Sequence, residues 1–299
     1  MHSLCSDFLS LVKSYLNGVV LGDKKHLHYS LYVVECSVMN ESYELKFSGI
    51  GRLYGLKSME RLNNSHICVV GVGGVGSWCA EALARSGVGE ITLVDMDDVC
   101  ITNVNRQLPA LESTVGRTKV SVLKERLQLI NSELSINTIT DFYTKTTAET
   151  IITNRFSYVV DAIDSIDNKA LLVSQCVDLN IPVITSGGAG GLRDISRIAV
   201  SDLAKTQGDS LLRVLRKKLR NKHGFSKDIK QEFNVKAVYS DEKAVFPTPE
   251  GGVCELRDQN SRLKLDCSAG FGTATFITGG FGFALAGAVV KDISDGLLQ

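Results

Sequence analysis

Short apolar runs alternate with amphipathic segments after residue 52, and this alternation predicts an α/β fold with a doubly wound, mostly parallel sheet. The predicted strands are Ile67–Val70, Ile91–Val94, Ile136–Thr140, Tyr158–Val160 and Pro182–Thr185. The predicted helices are Ser77–Ser86, Lys119–Ile130, Ala148–Ile152 and Asn168–Asn180. In the second helix apolar residues recur at spacings of three and four, as expected when a helix buries one face.

The two ends of the chain differ from this pattern. Residues 1–48 lack a clear periodicity and are predicted to be a poorly defined extension; Met39 is a plausible natural start, so residues 1–38 are interpreted as an over-extended gene model or a loose extension. Residues 49–299 are predicted to form one domain, in which 207–266 is a basic, loop-rich insertion facing the substrate. Ala269–Leu298 is predicted to be a terminal helix.

The terminal helix contains an uncharged segment, Gly270–Val290, of 21 residues. Its length nearly suffices to span a membrane, but its glycine and alanine content favours a core helix packed on the sheet. A core helix is therefore the preferred interpretation, and membrane association is the alternative.

The composition of the chain bears on its cellular compartment and on whether it binds nucleic acid. The 299 residues carry 33 Lys+Arg and 33 Asp+Glu, so a basic surface for nucleic acid has to be local. One such segment is Leu211–Lys230, which has eight basic residues and one acid. The eight cysteines form no CxxC pair, which argues against a structural zinc site and favours a reducing, cytosolic compartment.

A glycine loop between the first predicted strand and helix indicates a nucleotide site. Its glycines are Gly71, Gly73, Gly74 and Gly76, and backbone N–H groups at such a helix N-terminus attract phosphate. Asp95 ends the next strand 19 residues past Gly76, where a carboxylate can accept a ribose hydroxyl. This order is typical of Rossmann-like nucleotide-binding folds; the alternatives are a purely structural turn and an exposed strand-end acid.

Polar residues beyond this loop favour a triphosphate over a dinucleotide. Asn103, Arg106 and Gln107 lie just past the strand that carries Asp95, and Arg106 can fork onto phosphate oxygens. Lys119 begins a helix and can add a compact positive charge. Asp164 follows the strand ending near Asp161 and is a candidate Mg²⁺ ligand. The competing interpretations are a solvated loop, a surface lysine and a helix N-cap.

These motifs together resemble the ThiF/MoeB/HesA adenylating superfamily, which is related to ubiquitin-activating enzymes. Within it the chain resembles the TcdA (CsdL) branch, the tRNA threonylcarbamoyladenosine dehydratases. The motifs are RLYG, HICVVGVGGVGSW, DMDDVCITNVNRQ, GRTK, YVVDAIDS, SGGAGG, SDLAKT and DCSAGFGTAT. The resemblance covers about residues 49 to 293.

The resemblance implies a site and a reaction. Gly74, Asp95, Asn103, Arg106, Lys119 and Asp164 match the superfamily's ATP-contacting positions, with Mg²⁺ held through Asp164; Arg52 matches an arginine that some dimers supply from the neighbouring subunit. Arg106, Lys119 and Asp164 are the predicted catalytic residues. The implied reaction adenylates the threonyl carboxylate of the modified adenosine and then closes a ring within the substrate.

The resemblance also implies partners. These are tRNA carrying threonylcarbamoyladenosine, a second copy of the chain in a homodimer, and cysteine desulfurase or sulfur-acceptor proteins, with no ubiquitin-like partner. Arg213, Arg216, Lys217 and Arg220 are predicted to face tRNA, with a solvated basic helix as the alternative. An intramolecular ring closure requires neither Cys254 nor Cys267 as a nucleophile. The competing functions are an NAD(P)-dependent oxidoreductase and a non-catalytic sulfur-relay protein.

Overall fold

The computed structural model describes residues 41–248, 251–255 and 271–296. Its central feature is a seven-stranded sheet with the order β3-β2-β1-β4-β5-β7-β6, in which only β6 and β7 pair antiparallel. The strands are β1 His66–Val70, β2 Glu90–Val94, β3 Ser135–Ile139, β4 Tyr158–Asp161, β5 Val183–Ser186, β6 Ile198–Asp202 and β7 Lys236–Ser240. A two-stranded hairpin adds β8 Phe246–Pro247 and β9 Val253–Cys254.

Helices cover both faces of the sheet. They are α1 Glu41–Tyr54, α2 Leu56–Asn63, α3 Gly76–Arg85, α4 Lys119–Ile130, α5 Ala148–Ile151, α6 Ile166–Asp178, α7 Ser210–Lys222 and α8 Thr275–Ser294. Along β1, Ile67 and Val69 join a core with α2, α3, α4 and α8, whereas Cys68 and Val70 join a core with α5, α6 and α7. Because alternate residues of a strand face opposite sides and helices cover both sides, β1 is buried along its whole length and is apolar from Ile67 to Val70. The predicted α/β fold class is confirmed.

The elements that the pattern missed include α1 and α2, which precede β1, and β6 and β7 at one edge of the sheet. The boundary predicted between residues 48 and 49 falls inside α1, whose Tyr43 and Phe47 are buried. The segment 207–266 contributes β7 between β5 and β6, so part of it belongs to the sheet rather than to an insertion. The remaining domain limits stay predictions, and residues 1–38 lie outside the described part of the chain.

The C-terminal apolar helix, α8, packs on one face of the sheet and belongs to the hydrophobic core. α8 is 20 residues long and apolar enough to cross a membrane, but 61% of its most apolar window is buried within the protein. Its Gly282 lets α3 approach closely, because a Cβ there would lie 2.7 Å from the Cβ of Trp78. These contacts support the interpretation as a core helix. Residues 269–274 and 295–298, which belonged to the predicted helix, are either non-helical or outside the described residues.

Candidate nucleotide-binding site

The glycine loop joins β1 to α3 at the carboxyl edge of the sheet. Gly71 has a φ of +85°, and a Cβ there would lie 2.8 Å from the carbonyl oxygen of Ala162. A Cβ at Gly76 would lie only 1.8 Å from the carbonyl oxygen of Gly71. Within the described residues no side chain caps the N-terminus of α3. The loop is therefore folded tightly on itself and leaves helix N–H groups for an anion.

Asp95 fastens the glycine loop from the end of β2. Its Oδ2 accepts the backbone N–H of Val72 at 2.8 Å, and its Oδ1 accepts that of Asp97 at 2.9 Å. Burial raises the pKa of this carboxyl above its usual value, against the lowering effects of Lys119 and of the two N–H groups. Asp95 is thus a half-buried structural acceptor of the loop, and it is not merely an acid exposed at a strand end.

The polar segment after β2 lies against the glycine loop. The Cγ of Arg106 is 3.7 Å from the position of a Cβ on Gly74. One guanidinium nitrogen, Nη1, donates to the carbonyl oxygen of Thr102 at 2.7 Å and to Oδ1 of Asn105 at 3.1 Å. Asn103 is buried, and its Oδ1 accepts the N–H of Cys100 at 3.0 Å. The structure therefore places Arg106 against the loop, and the carbonyl oxygen of Asn103 accepts the backbone N–H of Arg106 at 3.0 Å.

Gln107 supplies an unpaired acceptor beside the same loop. Its side chain is buried, with 8% of the residue exposed, and its Oε1 makes no hydrogen bond within the described structure. Its Nε2 lies 3.6 Å from the position of a Cβ on Gly73. Since buried polar groups are nearly always hydrogen-bonded, a donor from a bound molecule would complete this side chain. In the sequence, Gln107 belongs to the predicted polar cluster, but its residue type and spacing indicate no role.

Lys119 is buried at the start of α4 and is not a surface lysine. Its Nζ lies 2.7 Å from Oδ2 of Asp97, and its backbone N–H donates to the carbonyl oxygen of Asp97 at 3.0 Å. A bridge between Asp98 and Thr118 holds the two segments together. The ammonium group therefore sits near Asp95 and Asp97, on the carboxyl side of β2.

Asp164 is exposed in the loop after β4, immediately before α6. The N-cap of α6 is Ser165, and within the described residues no side chain caps this helix, so helix capping does not account for Asp164. The peptide preceding Asp164 is close to the glycine loop, because the N of Ile163 lies 3.3 Å from the position of a Cβ on Gly71. An exposed carboxylate beside a phosphate-binding loop fits a Mg²⁺–phosphate ligand. No group of three or more metal-binding side chains occurs among the described residues.

A buried ion pair that the sequence pattern did not predict lies close to Asp164 along the chain. Asp161 and Lys169 are both fully buried, and Nζ of Lys169 lies 2.8 Å from Oδ2 of Asp161. The hydroxyl of Thr185 donates to the same oxygen at 2.6 Å, and Oδ1 of Asp161 accepts the N–H of Ile163 at 3.1 Å. The sequence does contain a sign of this pair, because Asp161 ends an apolar strand and Lys169 lies among the apolar residues of the following helix. The pair fixes the backbone from which Asp164 projects.

The SGGAGG segment after β5 is held in place and is not a freely flexible connection. Oδ2 of Asp209 accepts the N–H of Gly188 at 2.9 Å, while Oδ1 caps α7 by accepting the N–H of Leu212 at 2.8 Å. A Cβ on Gly187 would lie 2.1 Å from Oδ2 of Asp209. Burial raises the pKa of Asp209, partly offset by these N–H groups and by Lys169. This loop and the glycine loop follow strands whose carboxyl ends share one edge.

Arg52 is exposed near the end of α1 and is not brought to the glycine loop by the contacts of that helix. The buried residues of α1 lie at the other end of α3: the hydroxyl of Tyr43 donates to the carbonyl oxygen of Gly87, and a Cβ on Gly87 would lie 3.1 Å from Phe47. Within one chain, Arg52 is therefore not seen at the site that the resemblance assigned to it.

The basic helix predicted for tRNA is α7, but its four candidate side chains divide into two groups. Arg213 and Lys217 are exposed, while Leu212, Leu215 and Leu219 are buried. Arg216 donates to the hydroxyl of Thr206 and is half-buried, and Arg220 donates to the carbonyl oxygen of Ser226 and stacks over Phe233. The prediction that all four face outward was therefore wrong for Arg216 and Arg220, which are engaged within the protein.

Comparison with known proteins agrees with this geometry. The sequence profile of the ThiF family matches residues 48–241. The chain is 46% identical over 253 residues to a tRNA threonylcarbamoyladenosine dehydratase of Haemophilus influenzae, a match that covers 85% of this chain and 95% of that protein.

Two solved structures of the Escherichia coli dehydratase TcdA are similar to the chain. The complex with ATP is 41% identical with a TM-score of 0.77, and the match covers 87% of this chain and 98% of that one. The complex with AMP is 42% identical with a TM-score of 0.77, over 88% and 99% of the two chains.

Proposed function

Because the chain belongs to the ThiF family, we propose that it catalyses the ATP-dependent dehydration of threonylcarbamoyladenosine next to the anticodon of tRNA. The resemblance inferred from the motifs is confirmed, since the dehydratase match spans 85% of this chain and 95% of that protein. The observation that carries the proposal is the placement of Arg106 against Gly74, since this joins a phosphate-binding loop to a side chain suited to a triphosphate. A hydride-transferring enzyme binds only a diphosphate at such a loop and has less need of that arginine.

The proposed reaction has two steps, adenylation of the substrate and ring closure. The threonyl carboxylate attacks the α-phosphorus of ATP; an acyl–phosphate bond forms, the bond to the β-phosphate breaks, and pyrophosphate leaves. The carbamoyl group of the same substrate then attacks the activated carbonyl, and AMP leaves as the ring closes. The substrate loses one water overall. Since the nucleophile is already attached to the substrate, no enzyme thioester is required.

Charge on the phosphates is met by three residues at the carboxyl edge. Arg106 has guanidinium nitrogens beyond the Nη1 that holds Thr102 and Asn105, and these can fork onto phosphate oxygens. Lys119 adds a buried positive charge near Asp95. Asp164 would hold Mg²⁺ through its exposed carboxylate, and the ion would neutralise charge on the phosphate oxygens. Asn103 and Gln107 complete the polar lining, and Asp95 accepts the ribose.

Arg52 and the exposed apolar side chains support a homodimer. Leu45, Leu53 and Leu56, on and beside α1, are 74%, 76% and 68% exposed. These exposed leucines are available to a second copy of the chain. In the proposed dimer, Arg52 of one protomer serves the phosphates bound by the other.

Residues 207–266 supply the proposed tRNA surface. Arg213 and Lys217 are exposed on α7, and Asp209 at the start of this helix also binds Gly188 at the carboxyl edge of the sheet. Two cations beside the site can hold phosphates of the anticodon arm. The proposed substrate and ATP both belong to the cytoplasm. Association with a cysteine desulfurase or a sulfur acceptor stays a prediction.

The test of the proposed function is a single incubation. The protein is mixed with ATP, Mg²⁺ and tRNA that carries threonylcarbamoyladenosine, and the nucleoside mass is then measured. We expect loss of one water with release of AMP and pyrophosphate, and no product when ATP is omitted. An unchanged nucleoside, with an authentic dehydratase active on the same tRNA, would exclude the proposed reaction. Full activity of an Asp164→Ala protein in cells would instead favour the sulfur-relay alternative.

A further inference from the structure

Two side chains outside the predicted site hold the main chain of Arg106. The indole Nε1 of Trp78 donates to the carbonyl oxygen of Arg106 at 3.1 Å, and the hydroxyl of Thr278 lies 3.2 Å from the same oxygen. Trp78 is in the first turn of α3, and Thr278 is in the first turn of α8. Two helices that are distant in sequence therefore meet at one peptide group of the phosphate-binding segment.

The same segment is fastened to the residues around the start of α8. Nδ2 of Asn105 donates to the carbonyl oxygen of Thr273 at 2.9 Å, and the hydroxyl of Thr275 donates to the carbonyl oxygen of Asn105. Cγ2 of Thr278 lies 3.2 Å from the position of a Cβ on Gly74. The glycine loop, Arg106 and α8 thus share one contact point, so a shift of α8 changes the distance between the arginine and the loop.

We propose that Trp78 and Thr278 are positioning residues, which hold the Arg106 backbone so that its guanidinium meets the phosphates of ATP. This inference rests on the proposed function. An arginine side chain is long, so its head is placed reliably only when its main chain is fixed, and a displacement of about 1 Å can cost about a hundredfold in rate. The indole N–H is a donor only, which commits Trp78 to this carbonyl. The Thr278 hydroxyl also reaches the carbonyls of Ala274 and Thr275, so its contribution is smaller.

The variants are chosen to remove the donors and keep the packing. Trp78→Phe removes the indole N–H and leaves an aromatic ring against Phe283. Thr278→Val removes the hydroxyl and keeps its shape, while Thr278→Ser restores the hydroxyl. We expect kcat/KM for ATP to fall about three- to tenfold in Trp78→Phe, less in Thr278→Val, and to recover in Thr278→Ser. KM for the tRNA should be unchanged, because no phosphate of the tRNA contacts Arg106 in the proposal.

A matched control lies at the other end of α8. The hydroxyl of Tyr158 donates to Oδ2 of Asp292 at 3.0 Å, far along the helix from Thr278. Tyr158→Phe removes one buried hydrogen bond of α8 and should leave kcat/KM for ATP unchanged. An equal loss of kcat/KM in Tyr158→Phe and Trp78→Phe would mean that α8 acts only through general stability, and this would overturn the inference.

Trp78 also provides a spectroscopic test, because it is the single tryptophan of the chain. ATP should change the tryptophan emission of the wild-type protein, and Arg106→Ala should abolish that change. Emission unaffected by saturating ATP, or unaltered kcat/KM in Trp78→Phe, would overturn the positioning role even if dehydration is observed. If ATP binds and weakens in Trp78→Phe but no dehydration occurs, the positioning role holds and the proposed reaction fails.

Discussion

Two glycines of the phosphate-binding loop, Gly73 and Gly76, differ in how much room the protein leaves for a Cβ atom. A Cβ on Gly76 would strike the carbonyl of Gly71 at 1.8 Å, whereas a Cβ on Gly73 would make an ordinary contact with Gln107 at 3.6 Å. We therefore expect Gly76→Ala to lower Tm sharply and Gly73→Ala to leave it unchanged. Gly73→Ala should still raise KM for ATP by about tenfold, because overpacking against a phosphate costs ~1–3 kcal/mol.

Melting curves and ATP kinetics of the two variants decide between these roles. The two substitutions are chemically identical, so each serves as the control for the other. A Gly73→Ala protein that binds ATP as the wild type does would show that phosphate does not approach this part of the loop.

Asp95 gives the site a pH dependence of known sign. Burial raises the pKa of this carboxyl, and only its charged form accepts a ribose hydroxyl without a competing proton. On acidification, the Asp95 carboxylate therefore takes up its proton at a higher pH than an ordinary aspartate, whose pKa is about 3.9. ATP affinity should consequently fall with decreasing pH, and the fall should begin at higher pH than for an ordinary aspartate.

Calorimetric titration of ATP between neutral and acidic pH measures this effect. Asp95→Asn should bind weakly at all pH values and should lose the acidic decline, while the titration of the γ-phosphate affects both proteins alike. If ATP affinity declined with falling pH in the same way in both proteins, protonation of Asp95 would not be the cause of the decline.

At the scale of elements, the Asp161–Lys169 pair joins β4, α6 and β5. Both side chains are fully buried, so removing one charge leaves the other unpaired in the core. We expect Lys169→Met to lower the free energy of unfolding by about 3–5 kcal/mol. Lys291→Met, which breaks the exposed pair with Asp295, is the control and should change little. Denaturant unfolding of the two variants provides the comparison, and equal stability would show that Asp161 is satisfied without Lys169.

Helix α7 carries the prediction about tRNA. Lys217→Glu places a negative charge on the exposed side of α7 and should weaken tRNA binding, with a salt slope smaller by about one. Lys57→Glu makes the same change at an exposed position of α2, which leads into the opposite edge of the sheet, and should have little effect. Filter-binding titrations over a range of salt concentrations measure both. Equal effects of the two substitutions would assign the loss to net charge rather than to α7.

The sequence predicted best those strands that lie in the middle of the sheet, because burial on both faces makes them apolar. β1 and β4 are buried on both faces, so apolar runs marked them within a residue of their observed ends. β7 was missed because Lys236 and Ser240 give KAVYS a mixed composition, although Ala237 and Val238 are fully buried between β5 and β6. α1 was missed because Gly49 and Gly51 weaken a helical pattern whose buried residues are only Tyr43 and Phe47. In these cases tertiary contacts decide the structure.

For the molecule as a whole, the sequence could predict which residues carry charge but not which of those charges are already engaged. Lys119 and Arg106 lie at the same edge of the sheet, and their contacts with ATP stay predictions. Arg216 and Arg220 were equally basic in the sequence, yet Thr206, Ser226 and Phe233 bind them within the protein. Such pairings join residues that are separated along the chain, and a periodicity of three to four residues carries no information about them.

The site unites segments from distant parts of the chain, so its ligand should stabilise the entire fold. Loops after β1, β2 and β4 contribute to it, and the start of α8 supports it. ATP at a hundred times its Kd should add about 2.7 kcal/mol to the free energy of unfolding, which raises Tm by about 4 °C for a protein of this size. NADH at the same concentration should give no shift, because Arg106 and Lys119 are placed for a triphosphate. A thermal shift with NADH and none with ATP would reverse the choice between adenylation and hydride transfer.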